Sequence, residues 1–269
     1  VSGHRAHAHY LAKGGNLNAM IAEIYGRVTG CARGKGGSMH LIDERVGFMG
    51  STAIVAGTVP VGVGLGYSLQ LDGVDDIACI FLGDAVVETG VFFESINFAI
   101  LKKLPVLFLC ENNFFSVYSP LHVRQIENEA IHRRISGLGI HTDYDDGNDV
   151  IACYEKISKA VRDIRDGGGP RFLQFDTYRW REHCGSNFDD NLEYRPNDQI
   201  EKWHALEPIE RFESTAIGEG FLSAVDVKII QDKIDEEVEA AFSFAQASDF
   251  PGIEEASMHI FASEMAKVV

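Results

Sequence analysis

The sequence predicts a doubly wound α/β fold with a mostly parallel sheet. Two short apolar runs, residues 77–82 and 105–110, flank residues 91–101, which have helical spacing. This is the pattern of a βαβ unit. A further predicted helix at 150–165 leads into a third apolar run at 171–178. Strands that alternate with helices favour a parallel sheet covered on its faces by those helices.

Segments outside this alternation predict two more helices, a loop and a C-terminal extension that is itself helical. Residues 16–28 place apolar side chains at helical spacing, which predicts an amphipathic helix. Residues 31–50 are rich in glycine and basic side chains and predict a loop that wraps another group. Residues 54–71 mix glycines with apolar side chains, which predicts a buried helix, and an apolar stripe over 230–245 predicts a last helix. We expect residues 1–269 to form one domain whose true N-terminus is missing.

Composition excludes several classes of function. The chain has a formal net charge of −16 at pH 7 and 45% apolar residues. We therefore expect a globular protein that binds neither nucleic acid nor an anionic membrane, because either partner requires a basic face. The five cysteines are widely spaced, without a C-x-x-C pair. This predicts reduced thiols and a protein of the bacterial cytoplasm or the mitochondrial matrix that is not secreted.

Polar residues follow two consecutive predicted strands. Asp84 follows the first apolar run and Asn113 follows the second. Parallel strands end at one edge of a sheet, so a carboxylate and an amide oxygen can meet there, and Mg2+ combines one or two such ligands with phosphate and water oxygens. A helix expected after Asp84 would direct its free N–H groups to the same point, which favours a phosphate. Two simpler interpretations stay open: Asp84 as a helix N-cap, and Asn112 with Asn113 as a turn.

These segments resemble a known enzyme family. Segments 83–85 and 112–113 are similar to the Gly-Asp-Gly opening and the Asn-Asn close of the thiamine-diphosphate signature. From about residue 3 to about residue 261, the chain resembles the alpha subunits of thiamine-diphosphate-dependent 2-oxoacid dehydrogenases, that is, the pyruvate, branched-chain and acetoin dehydrogenase E1 alpha family. The other matching blocks are residues 3–7, 11–14, 36–40, 54–55, 94–95, 104–106, 110–113, 146–149, 177–181 and 194–196.

The resemblance implies the thiamin diphosphate-binding fold of the PP type and a set of cofactor ligands. The family pattern assigns Mg2+ to the side chains of Asp84 and Asn113 and to the backbone carbonyl of Phe115. Arg5 is expected to hold the diphosphate, since about three negative charges enter an acidic protein and require offsetting cations. Backbone groups expected to contact the cofactor are those of Ala53, Val55, Ala85 and Val86.

Two histidines match functional positions of the family. His183 matches the histidine of a mobile active-site loop near the diphosphate, with the expected role of hydrogen-bonding or protonating an oxygen of the reacting substrate. His7 matches a histidine beside the substrate entrance. Six other histidines are expected to be surface residues: His9, His122, His132, His141, His204 and His259.

The chain departs from the family pattern in three places. Ala85 stands where glycine is usual, which the backbone tolerates if φ is negative. Glu88 adds a second carboxylate near Asp84 and is expected either to favour the helix N-terminus or to alter the metal site. Residues 181–185 lack the serine that is phosphorylated in some members, which argues against kinase regulation there and weakens the case for pyruvate as substrate.

The function implied is that of the alpha subunit of an E1-type dehydrogenase. It would catalyse oxidative decarboxylation of a 2-oxoacid and transfer the acyl group to a lipoyl-bearing E2. An E1 beta-type subunit is expected to supply the pyrimidine-binding domain and its glutamate, in a heterotetramer of two alpha and two beta subunits. Alternatives on the same subunit plan are an acetoin-cleaving enzyme and a thiamine-dependent carboligase. From a different class, a non-catalytic scaffold subunit stays open.

Overall fold

A computed structural model describes residues 1–126 and 130–259 of the chain. Residues 127–129, and residues 260–269 at the end of the expected domain, lie outside the described residues. The strands are β1 (Ser2–Gly3), β2 (Ser51–Thr52), β3 (Ala78–Gly83), β4 (Val106–Asn112), β5 (Phe115–Ser116), β6 (Ser119–Pro120), β7 (His141–Asp146) and β8 (Arg171–Asp176). The α-helices are α1 (His7–Ala12), α2 (Leu17–Ile24), α3 (Thr58–Asp72), α4 (Gly90–Lys102), α5 (Ile131–Ser136), α6 (Val150–Asp163), α7 (Asn197–His204), α8 (Pro208–Gly218) and α9 (Ala224–Ala247).

The chain divides into two compact units. The first is built from Val1–Gly3 and Ile54–Lys228, and the second from His4–Ala53 and the C-terminal part that begins at Ile229. The boundary near the C-terminus falls inside α9. The expectation of one domain over residues 1–269 stays a prediction.

Five strands of the first unit lie side by side in the order β1-β3-β4-β8-β7, and every neighbouring pair is parallel. The three predicted strands correspond to β3, β4 and β8, and the two predicted helices of this unit's alternation correspond to α4 and α6. Their bounds differ from the prediction by at most a few residues. The parallel α/β architecture predicted from sequence is confirmed.

Side chains alternate across β4 and supply a core on each face of the sheet. Val106, Phe108 and Cys110 pack in a core with residues of α3, α4 and α5. Leu107 and Leu109 point the other way and pack with residues of α6. Because successive side chains of a strand point to opposite faces, a continuous apolar run is what a strand covered on both sides requires. The doubly wound arrangement follows from that run.

Helix α3 approaches the sheet closely through two glycines. A Cβ atom placed on Gly62 would lie 2.4 Å from Cγ1 of Ile80, and one on Gly66 would lie 2.4 Å from Cγ2 of Val106. Real Cβ contacts are not that short, so a side chain at either position would push the helix away. The helix predicted over residues 54–71 is therefore present as α3, but it is buried on one side only, since Val61 is 55% and Leu71 69% exposed.

The second unit has its own small core and a loop ordered around a buried carboxylate. Tyr10, Met20 and Phe48 belong to the core. Glu23 of α2 is fully buried, and its carboxylate accepts hydrogen bonds from backbone N–H groups of the following loop. The donors are Ala32 at 2.8 Å, Gly34 at 2.9 Å, Gly36 at 2.6 Å and Gly37 at 3.2 Å. The segment predicted to wrap another group therefore wraps a side chain of its own unit.

Candidate functional site

Strands β3 and β4 deliver two polar residues to the same edge of the sheet. The strands pair in parallel, from Ala78 opposite Val106 to Gly83 opposite Glu111. Asp84 directly follows β3 and Asn113 directly follows β4. Both residues therefore leave the sheet at its carboxyl edge, where open α/β folds bind their ligands.

The carboxylate of Asp84 is buried and is paired with an arginine. Its side chain is 3% exposed and forms an ion pair with Arg124, which is 12% exposed. Burial raises the pKa of Asp84 above its ordinary value, and the Arg124 guanidinium opposes this shift because it stabilises the charged form. Gln125 Nε2 also donates to the backbone oxygen of Asp84 at 2.9 Å. Any further cation at Asp84 would have to share this carboxylate with Arg124.

Glu88 lies in the same network. A 3-10 turn, Val86–Glu88, separates β3 from α4. The Glu88 carboxylate pairs with Arg124 and accepts a hydrogen bond from Gln125 Nε2 at 2.7 Å. The added negative charge is therefore paired within the chain.

Helix α4 begins close to the predicted start at residue 91, and a 3-10 turn separates it from Asp84. Its first residue is Gly90, and the N-cap residue is Thr89. The interpretation of Asp84 as a helix N-cap is wrong, because the intervening 3-10 turn moves the helix start away from β3. The expectation that the free N–H groups of α4 point to the place reached by Asp84 stays a prediction.

Asn112 and Asn113 both close a turn and carry amide oxygens at this edge. Asn112 is buried, donates from Nδ2 to Asp176 at 2.7 Å, and accepts from the N–H of Phe114 at 3.1 Å. Asn113 Oδ1 accepts from the N–H of Phe115 at 3.0 Å. These bonds two residues along the chain are those of Asx turns, and Phe114 has a φ of 66°. The turn interpretation is confirmed, and it does not exclude a ligand role.

The donor set at this edge fits Mg2+. The groups are a carboxylate, an amide oxygen and a nearby backbone carbonyl, all hard oxygen donors of the kind Mg2+ takes in small number beside phosphate and water. An amide oxygen accepts two bonds, so Asn113 Oδ1 can take a partner besides Phe115. Across the described ranges, no group of three or more His, Cys, Asp or Glu residues forms a metal cluster. A magnesium site that takes its other ligands from a diphosphate does not require such a cluster.

A cavity lies beside Phe114 and Phe115. It has a volume of about 540 Å3 and is bordered by mainly apolar side chains. The ring of Phe115 packs edge-on against Tyr194, with 5.3 Å between the ring centroids. The residues that line the cavity are Phe114, Phe115, Pro120, Leu121, His122, Ile126, Ala130, Tyr194, Pro196 and Gln199.

His183 lies in a long segment after β8 that is held by buried charges. His183 itself is half-buried. Downstream of β8, Arg179 Nη2 donates to Asp189 Oδ2 at 3.0 Å, and the Tyr194 hydroxyl donates to the same oxygen at 2.6 Å. Arg195 Nη1 reaches the backbone oxygen of Arg179 at 3.1 Å. The resemblance to the family includes Tyr178-Arg179 and Tyr194-Arg195, but nothing in the sequence indicated that these residues anchor the segment.

The remaining predicted site residues divide between the two units. The first unit contains Val55, Ala85, Val86 and His183, and the second unit contains Arg5, His7 and Ala53.

Within the second unit, His7 Nε2 lies 2.9 Å from Ser38 Oγ. Burial, and after it the charge of Arg5, lowers the pKa of His7 below its ordinary value, since both disfavour the protonated ring.

Comparison with known proteins identifies the family. The family model described as Dehydrogenase E1 component matches residues 1–254. This chain belongs to the dehydrogenase E1 component family. Among similar proteins, the chain is 34% identical over 268 residues to the chloroplastic pyruvate dehydrogenase E1 component subunit alpha-3 of Arabidopsis thaliana. It is 33% identical over 261 residues to the pyruvate dehydrogenase E1 component subunit alpha of Rickettsia bellii, and 33% identical over 268 residues to that of Porphyra purpurea.

These matches cover 97% of this E1 component chain in each case, and they span 62%, 79% and 77% of the Arabidopsis, Rickettsia and Porphyra proteins respectively. The chain thus spans less than two thirds of the Arabidopsis subunit. Among the described helices, even the 24-residue α9 lacks an apolar stretch suited to spanning a bilayer. The family resemblance predicted from the sequence is confirmed.

The substitution of glycine by alanine in the E1 signature has a simple structural explanation. Ala85 has φ −74° and ψ −20°, a right-handed conformation that any L-residue adopts readily. The condition of a negative φ is met.

All five cysteines are free thiols, as predicted, including the exposed Cys184 beside His183.

Proposed function

We propose that this chain is the alpha subunit of a heteromeric, thiamine-diphosphate-dependent 2-oxoacid dehydrogenase. It would carry the Mg2+ and diphosphate half of an active site that a partner chain completes. The observation that carries the proposal is the delivery of Asp84 and Asn113 to one edge by adjacent parallel strands, in a member of the dehydrogenase E1 component family. The Arabidopsis and Rickettsia relatives are alpha subunits of the pyruvate dehydrogenase E1 component, which supports 2-oxoacids as the substrate class.

Each cofactor role falls on a group suited to it. The side chains of Asp84 and Asn113 and the carbonyl of Phe115 would hold Mg2+, which offsets diphosphate charge together with Arg5. When bound, thiamine diphosphate supplies the carbon nucleophile and the electron sink for decarboxylation. Backbone groups assigned to the cofactor are those of Ala53, Val55, Ala85 and Val86.

The two histidines would act on protons near the substrate. His183 is assigned to hydrogen-bond or protonate the substrate's carbonyl oxygen, a role that suits a half-buried imidazole in a segment anchored at both ends. His7, whose pKa is lowered, is neutral at pH 7 and hydrogen-bonded to Ser38, so it can orient substrate at the entrance without adding charge.

The proposed partners are those that a heteromeric enzyme of this kind requires. An E1 beta-type subunit would supply the pyrimidine-binding domain and its glutamate, in a heterotetramer of two alpha and two beta subunits. The acyl group would then pass to a lipoyl-bearing E2.

The direct test is co-expression of the chain with its beta-type partner. Dye reduction is then measured with pyruvate, a branched-chain 2-oxoacid and acetoin as substrates. We expect turnover of a 2-oxoacid that requires both thiamine diphosphate and Mg2+. Replacement Asp84→Asn should lower it by at least about 100-fold, because a metal ligand is lost.

The matched control is Asp163→Asn, a carboxylate of α6 that pairs at the surface with Lys159 and should leave turnover unchanged. Equal activity in the Asp84→Asn variant would instead identify a scaffold subunit. Turnover of acetoin without any 2-oxoacid would favour the acetoin-cleaving alternative.

A further inference from the structure

Arg124 bridges the proposed metal carboxylate and a second carboxylate. One terminal nitrogen of its guanidinium contacts Asp84, and the other contacts Glu88. Its Nε donates to the backbone oxygen of Ser119 in β6 at 3.1 Å. A planar guanidinium with its donors in a fixed fork is suited to hold two acceptors at once.

The bridge is supported from a second side by Gln125. Its Nε2 donates to the Asp84 backbone oxygen at 2.9 Å and to Glu88 at 2.7 Å. Its Oε1 accepts from Arg134 of α5 at 3.0 Å. Arg124 and Gln125 together thus contact the carboxylate and the backbone oxygen of Asp84 and the carboxylate of Glu88.

Mg2+ and Arg124 cannot occupy the same oxygen of Asp84. Two cations on a carboxylate that is only 3% exposed repel each other strongly, because little water screens them. Glu88 is 27% exposed and lies next to the same guanidinium, so it can keep Arg124 paired when Asp84 turns to a metal.

We propose that Arg124 is the internal counter-ion of Asp84 in the cofactor-free subunit and that it moves wholly onto Glu88 when Mg2+ binds. Arg124 and Glu88 are positioning residues: they set how tightly the metal is held without touching the reacting atoms. This inference rests on the proposed function. It assigns a role to Glu88, one of the places where the chain departs from the family pattern.

The first test is a calorimetric titration of Mg2+ into the complex with its beta-type partner, at saturating thiamine diphosphate. Arg124→Gln removes the competitor, so we expect Mg2+ to bind about tenfold more tightly. Glu88→Gln removes the second acceptor and leaves Arg124 on Asp84, so Mg2+ should bind more weakly. In the Arg124→Gln background, Glu88→Gln should change the affinity little, because its effect passes through Arg124.

Thermal unfolding supplies a readout independent of binding heat. Without ligands, Arg124→Gln should lower the melting temperature, because it leaves a buried carboxylate unpaired. With saturating Mg2+ and thiamine diphosphate, the difference from the wild type should shrink. Arg124→Lys keeps the charge but loses the fork, so its melting temperature should lie between those of the wild type and Arg124→Gln. This variant also keeps the proposal testable if Arg124→Gln does not fold.

The matched control is Arg211→Gln. Arg211 also bridges two carboxylates, Asp146 at 2.6 Å and Asp149 at 2.7 Å, in another part of the first unit. Its variant should leave Mg2+ affinity unchanged, and any loss of melting temperature should persist with ligands.

The outcomes separate the two proposals. If the wild-type complex binds Mg2+ with thiamine diphosphate, but Arg124→Gln binds it no more tightly, the counter-ion role is overturned and the proposed function stands. If the wild type binds neither ligand, the proposed function itself fails.

Discussion

At the scale of single residues, the chain stabilises buried charge by placing a specific partner beside each group. Glu23 receives four backbone N–H groups, and Asp84 receives Arg124. Buried polar groups that keep their partners specify a unique local structure, whereas loss of one partner leaves the other unsatisfied. Two predictions belong to this scale.

The first prediction concerns Glu23→Gln. The amide would turn an NH2 group toward two of the backbone donors that now meet a carboxylate oxygen, so the free energy of unfolding should fall by about 2–4 kcal/mol. Urea denaturation of the purified chain measures this. The control is Glu219→Gln, an exposed residue at the end of α8, which should change stability little. A Glu23→Gln variant as stable as the wild type would show that the loop does not depend on this carboxylate.

The second prediction concerns the protonation of His7. Burial and the charge of Arg5 lower its pKa, so the folded state favours the neutral ring. For a histidine with a lowered folded pKa, stability is present at neutral pH and is lost as pH falls through the ordinary value of 6.5 toward the folded value.

An NMR titration of the His7 ring should therefore give a midpoint below that of an unfolded histidine. Arg5→Gln should move the midpoint upward, because it removes a nearby positive charge. A midpoint at or above the unfolded value would contradict the prediction.

At the scale of elements, sequence periodicity located the three central strands and five of the longer helices, but it missed the amphipathic helices α7 and α8. It also missed β7, whose residues His141–Asp146 are mostly polar and half-exposed. This strand lies at the end of the sheet order and pairs only with β8 among the described strands, so it needs no continuous apolar run. The short helices α1 and α5, of six residues each, also escaped, because so few residues carry too little periodicity.

The prediction at this scale uses the glycines of α3. Gly66→Ala should destabilise the chain by about 1–3 kcal/mol, because the new methyl group would overlap Val106 in a closely packed contact. Gly64→Ala is the matched control on the same helix: a Cβ there meets nothing within 4 Å, so it should stabilise by up to about 1 kcal/mol. Chemical denaturation compares the two variants. Equal effects from both substitutions would show that close approach does not explain the glycine at 66.

At the scale of the whole molecule, the chain carries one part of the proposed site. The residues assigned to metal and diphosphate are present, whereas the pyrimidine-binding domain is assigned to another subunit. The chain also leaves several large apolar side chains of α9 partly exposed, among them Ile230 at 49% and Ile234 at 48%.

The corresponding prediction is dependence on the partner. The purified chain alone should show no turnover of a 2-oxoacid, and addition of the beta-type subunit should restore it, with both chains eluting together in size-exclusion chromatography. Turnover by the chain alone, at a rate equal to that of the mixture, would contradict the division of the site between two subunits.

The sequence by itself determined the family, the parallel α/β core and the position of Asp84 and Asn113 at the carboxyl ends of β3 and β4. These features are local: an apolar run and the polar residues that follow it are contiguous in the chain, so their period and order report them directly.

Only the tertiary structure decided what faces those residues. Arg124 lies 40 residues from Asp84 and 36 from Glu88 along the chain, and it contacts both after the chain has reversed direction in the β5–β6 hairpin. No periodicity reports which distant charge will lie opposite a carboxylate. That depends on chain reversal and packing, and here it places a guanidinium on the carboxylate proposed to hold the metal.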